Sequence, residues 1–188
     1  MKIKQLIKEN LRKELLKLEE ENFNNGDFML DEEMQSMLNN WVENTNENGN
    51  ILTTIISSDE ETEEVLTLTV KFDYYENDSA EFSYTFTLMN YRTQVIIKHE
   101  MYKREEVAPY LPNDVKKQRL VMPIVFNLTR RLLELNKPKH VRRITAEKLE
   151  GDSLTRYDII TGIFKKFGYE INNIRKLDGY YYWFLDLK

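Results

Sequence analysis

The chain of 188 residues contains no cysteine. Disulfides, thiolate metal sites and a cysteine nucleophile are therefore excluded, and a reducing cytoplasmic setting is the expectation. Histidine is almost as scarce, with His99 and His140 alone. Neither sits in an HExxH segment or a short cluster with metal-ligand spacing, so no metal is expected. Asp27, Asp31, Glu32 and Glu33 lie close together, but "GDFMLDEE" lacks the spacing of a calcium-binding loop. No apolar run approaches the length of about 20 residues that a membrane-spanning helix needs. The opening "MKIKQLIKENLRKELLKLEEE" has no continuous apolar stretch of the kind a secretory signal carries. Phosphate-binding glycine loops of the GxGxxG and Walker A types are missing, as is a GxSxG nucleophile turn.

Positive charge is missing from one long region. Between Glu19 and Glu64 there are fourteen acidic residues and no lysine or arginine. Lys116 to Lys148 reverses the balance, with ten lysines and arginines against Glu134 and Glu147. Segregation of this kind builds a field, matches two surfaces within the fold, or meets an oppositely charged partner. The overall charge is -5.

What is present is patterned. Ile3, Ile7, Leu11, Leu15 and Leu18, widened by Leu6 and Leu16, predict an amphipathic helix over residues 2–23, with Lys2, Lys4, Lys8, Arg12, Lys13 and Lys17 on the other face. Such a helix packs on its own domain, lies on an anionic surface or docks into another chain. A second helix is expected over residues 30–44, then a polar loop over 44–50. The middle of the chain has a period of two. A short run at 51–57 precedes alternation over 64–74, with Leu66, Leu68, Val70, Phe72 and Tyr74 on one face. Phe82, Tyr84, Phe86 and Leu88 repeat it, and residues 93–102 follow as a further strand, giving an antiparallel meander with one buried face. A helix over 115–136 must hold Pro123 in its first turn or kink there. A strand after Pro138, a helix ending at Gly168 and a hairpin around "LDG" complete the chain. The expected class is α+β: N-terminal helices, then a mostly antiparallel mixed sheet with two packed helices. The division drawn from sequence is a helical arm over 1–48 and a sheet domain over 49–188.

Strand, strand, strand, helix, strand, helix, strand, strand, ending in "IFKKFGY", resembles the acyl-CoA N-acyltransferase (GNAT) family. The resemblance covers roughly residues 51–188 and implies a GNAT-like fold. Family members hold the CoA pyrophosphate on a Gln/Arg-x-x-Gly-x-Gly/Ala loop before the first of these helices. Here "NDVKKQRLVMPIVF" places Val121 and Pro123 at the glycine positions, and no glycine occurs between Met89 and Gly151. Lys116, Lys117 and Arg119 remain as the phosphate-attracting candidates if acetyl-CoA binds. The family's usual acid is a tyrosine four residues before the glycine, where this chain has Phe164. In an active enzyme Tyr157, two turns earlier, would substitute as acid and Glu100, or less regularly Glu105 or Glu106, as base.

The resemblance without its chemistry leads to the expectation of a catalytically degenerate domain that needs no cofactor. It would work in protein interaction or assembly, with Lys4, Lys8, Arg12, Arg142 and Arg143 as partner-facing residues. The composition, rich in Lys, Asn, Ile, Glu and Tyr, suggests an AT-rich bacterial or phage genome, and the opening residues resemble the starts of tailed-phage proteins. A virion or accessory component, in the virion or the host cytoplasm, is the corresponding expectation. The alternatives are an active acetyl-CoA-dependent N-acetyltransferase and a nucleic-acid-binding accessory protein. The last would combine Arg130, Arg131, Lys137, Lys139, Arg142, Arg143 and Lys148 with Tyr180, Tyr181, Tyr182 and Trp183. In "YYYWFL" successive side chains point to opposite sides, so one side is covered by another element or open to a partner.

Overall fold

A computed structural model describes residues 32–101, 104–111, 115–146, 155–178 and 180–188. The helix expected over 2–23 lies outside them.

Helix α1 spans Glu32–Glu43. Met34, Met37, Leu38, Trp41 and Val42 fall at i, i+3, i+4, i+7 and i+8, and this stripe is the face that meets the core. Glu32 and Glu33 stand in the first turn, where the helix dipole favours negative charge. At the other end the Asn44 amide donates to the Asn40 carbonyl at 2.7 Å, and the Thr45 hydroxyl donates to that of Trp41 at 3.0 Å. These side chains satisfy carbonyls that a helix end leaves open.

The polar stretch expected as a loop is instead a hairpin. Strand β1 (Asn46–Asn48) pairs antiparallel with β2 (Ile51–Asp59) through a two-residue turn that opens on Gly49 at φ +60. A glycine adopts that conformation without steric cost. Residue 48 closes this hairpin, and α1 packs on the common core. Strands β3 (Glu64–Tyr75) and β4 (Ser79–Asn90) pair along their whole lengths. Strand β5 (Ile96–Met101) folds back on the end of β4. The chain then passes through a short helix α2 (Arg104–Val107) and a 3-10 turn (Ala108–Tyr110). Helix α3 spans Val115–Leu135, followed by β6 (His140–Ala146), α4 (Thr155–Lys166), β7 (Tyr169–Leu177) and β8 (Tyr180–Leu187). Pro123 is the ninth residue of α3 and not in its first turn. Its ring nitrogen leaves the Arg119 carbonyl without its helical donor. Gly168 leaves α4 at φ +94, a conformation that favours glycine, and its N–H donates to the Lys165 carbonyl at 3.0 Å.

The sheet runs β1-β2-β3-β4-β6-β8-β7, with β5 attached to β4 outside this path. Among the described residues only β4 and β6 pair in parallel. Burial alternates along the strands: Ala80, Phe82, Phe86 and Leu88 of β4 and Val141 and Arg143 of β6 are buried, and their neighbours are not. The buried face carries α1, α3 and α4 over one continuous core. On the other face the side chains of β3 and β4 are half-buried or exposed, Val65 apart.

At the centre of this core Phe72, Phe82, Phe164 and Tyr169 form an edge-to-face cluster, with ring centroids 5.2 Å apart for Phe82–Phe164 and 5.3 Å for Phe164–Tyr169. The Tyr169 hydroxyl donates to the Pro138 carbonyl at 2.7 Å. Burial, helped by Tyr74 and Asp78, pushes this phenol well above its ordinary value. The raised group ionises first in the unfolded chain, near the usual phenol value of about 10. The stability it contributes is whole below that pH and is lost as pH rises beyond it. Urea midpoints between pH 7 and pH 11 should fall at the alkaline end, and more gently in Tyr169→Phe. Equal slopes in the two proteins would contradict this.

Candidate functional site

The parallel pair is the natural place to look for a site, because open sheets bind ligands where strand order switches, at the carboxyl ends of parallel strands. Strand β4 pairs with β6 only from Ser79↔His140 to Phe82↔Arg143. On the same edge β5 takes over at Phe86 and continues to Met89. Between them, among the described residues, no strand pairs with β4 on this edge at Ser83, Tyr84 and Thr85, while β6 continues to Ala146 alongside β8. The two parallel strands thus part after Phe82 and Arg143. Trp183 of β8 stands opposite Arg143, and among the described residues its buried indole Nε1 has no hydrogen-bond partner. A buried unsatisfied donor costs about 1–3 kcal/mol, so this one is a point of attachment for any acceptor that reaches it.

The glycine-free window proposed for phosphate binding falls inside α3 itself. Gln118 to Pro123 is helical, with Leu120 and Val121 buried in the core. Backbone N–H groups there are committed to the helix, and Pro123 has none. These residues do not fit a CoA pyrophosphate cradle. Lys116 and Lys117 lie in the first turn of α3, with side chains outside the described set, and Arg119 is exposed. Tyr157 lies on α4, its side chain likewise outside that set. Glu100 is exposed on β5 beside His99, at φ +56. Phe164 is fully buried.

The basic zone is dispersed by the fold. Arg131 of α3 is bound to Glu47 at 2.8 Å and to Glu134 at 3.4 Å. Lys137 stands over the Phe167 ring. Arg142 lies on the open sheet face, where Glu81 and the Tyr75 hydroxyl hold it. Arg143 turns the other way and is 3% exposed, with its guanidinium donating to Thr161 Oγ1 at 3.2 Å. Adjacent residues of a strand must face opposite sides, so this pair cannot serve one partner surface. Lys4, Lys8 and Arg12 lie outside the described residues.

The open face holds a polar row that distant residues build. Ser79, His140 and Asp186 are cross-strand neighbours on β4, β6 and β8. His140 Nδ1 meets Asp186 Oδ1 at 2.8 Å, and the Asn172 amide donates to the other carboxylate oxygen at 2.6 Å. A depression of about 270 Å³ lies over this row and is bounded by Tyr75, Arg142 and Phe184. Among the described residues no hydrogen bond joins Ser79 to His140, so the row lacks the nucleophile–base link of an acyl-transfer triad. Sequence reading missed this row because 46 residues separate its histidine from its aspartate. Pairing register alone unites them.

Comparison with protein-family models, with curated proteins and with solved structures finds no match to this chain.

Proposed function

We propose that the chain is a GNAT-like domain that has exchanged acetyl transfer for protein interaction or assembly, as a virion or accessory component of the kind a phage encodes. The element order from β2 onward supports the fold reading. Phe164 carries the functional one: the position that would supply an acid is the centre of an aromatic cluster and 0% exposed. A residue that holds the core together cannot reach a leaving group.

Calorimetry with acetyl-CoA and with CoA tests this directly. No binding at micromolar concentrations is expected, and micromolar binding would overturn the proposal. The parting of β4 from β6 favours one second reading, a divergent N-acetyltransferase that takes an extended ligand between these two strands. That reading predicts acetyl-CoA binding together with turnover lost in Tyr157→Phe. Nucleic-acid binding has weaker support, because the arginines are split between two faces of the sheet. DNA and RNA titrations at two salt concentrations should show no salt-dependent affinity.

A further inference from the structure

The turn between β1 and β2 joins an asparagine to a glycine, Asn48–Gly49, and both residues are exposed. The ladder ends at the Asn48↔Ile51 pair, so the Gly49 N–H stays outside it. Among the described residues neither that N–H nor the Asn48 side-chain amide has a hydrogen-bond partner. Space around the glycine is open: a Cβ there would meet nothing within 4 Å. The rest of the turn is held. The Asn136 amide donates to the Gly49 carbonyl at 3.0 Å, the Asn50 amide donates to the Phe72 carbonyl, and the Phe72 N–H donates to the Asn50 carbonyl at 2.9 Å.

We propose that Asn48 is a site of spontaneous deamidation, and that the product unlocks this end of the sheet. The Gly49 nitrogen attacks Asn48 Cγ. A C–N bond forms, the Cγ–Nδ2 bond breaks, and ammonia leaves with the proton that the Gly49 nitrogen gives up. Water then opens the succinimide ring. Cleavage at Cγ leaves aspartate; cleavage at the main-chain carbonyl leaves isoaspartate, whose chain runs through the side-chain carbons. Glycine favours the attack because no side chain shields its nitrogen.

Isoaspartate adds a carbon to the main chain inside a two-residue turn, where loop length fixes the register of both strands. Strand β1 has little with which to resist. It is three residues long and ends the sheet, and Glu47 ties it to Arg131 of α3 at 2.8 Å. Its release frees Arg131 from Glu47 and bares β2 at Ile51, Leu52 and Thr53, an open edge of the kind that recruits another strand.

The full chain is aged at mildly alkaline pH and cut with chymotrypsin, and conversion is scored by peptide mass spectrometry residue by residue. Asn25–Gly26, the same pair outside the described residues, then falls in a different peptide from Asn48. Asn50 is the control within the turn. Asn48 should convert at least about tenfold faster than Asn50, whose attacking nitrogen belongs to β-branched Ile51 and lies in the ladder. The isoaspartate form, separated by ion exchange, should lose hydrogen-exchange protection at the β1–β2 amides. Asn48→Asp carries the charge without the extra carbon and should keep that protection. Conversion at Asn48 no faster than at Asn50 would overturn the proposal. Undiminished protection in the isoaspartate form, or equal loss in Asn48→Asp, would overturn the unlocking.

Discussion

Phe164→Ala is expected to destabilise the protein by about 3–5 kcal/mol, the cost of a large cavity in a core that cannot collapse onto it. The side chain contacts the Phe72, Phe82 and Tyr169 rings in edge-to-face geometry, so its removal strips three aromatic partners at once. For a chain of this size the melting temperature should fall by roughly 6–20 °C. Phe164→Tyr is the sharper companion. It restores the residue type an acyltransferase would carry, but sets a hydroxyl among rings. A loss of about 1–3 kcal/mol is expected from an unsatisfied polar group, and no acetyl transfer. A Phe164→Tyr protein of unchanged stability that transferred acetyl groups would show the position to be catalytic after all. Thermal melts and an acetyl-CoA turnover assay read both outcomes.

The second large effect separates two neighbours. Arg143→Ala should cost about 3 kcal/mol, because it removes a buried guanidinium and leaves its polar partners, Thr161 among them, in a core without it. Arg142→Ala should change stability by less than about 1 kcal/mol, since its pairing with Glu81 is solvent-exposed. Similar urea midpoints for the two variants would contradict the opposed orientation of these residues.

Much of the fold is legible because it rests on period. The alternation of Leu66, Leu68, Val70 and Phe72 fixes a buried face, and Gly168 marks a helix exit, whatever lies elsewhere in the chain. The β1–β2 hairpin was hidden by composition: "NENGN" is polar enough to pass for loop, and its pairing with β2 is a tertiary fact. Pro123 misleads for a related reason. Leu120, Ile124, Val125 and Leu128 bury enough surface to carry the helix through a missing hydrogen bond. The candidate site is less legible still. Register decides that Arg142 faces water and Arg143 the core, and that His140 meets Asp186. "YYYWFL" is the intermediate case. The sequence requires two faces, and the sheet shows which is which: Trp183 and Leu185 lie toward the helices, Tyr180, Tyr182 and Phe184 away from them.

The four residue pairs that join β4 to β6 set the order in which the protein should assemble and come apart. The meander β1–β5 closes through short turns, and so does the β7–β8 hairpin, whereas the Glu81–Arg142 contact spans 61 residues. Short loops close first and the long one last. The chain therefore has a seam, narrow in the sheet and bridged above it by α3 and α4. Amides of β3 should outlast those of β6 in hydrogen exchange, and a tear along this seam would uncover β4 from Ser79 to Phe82 before either half unfolds.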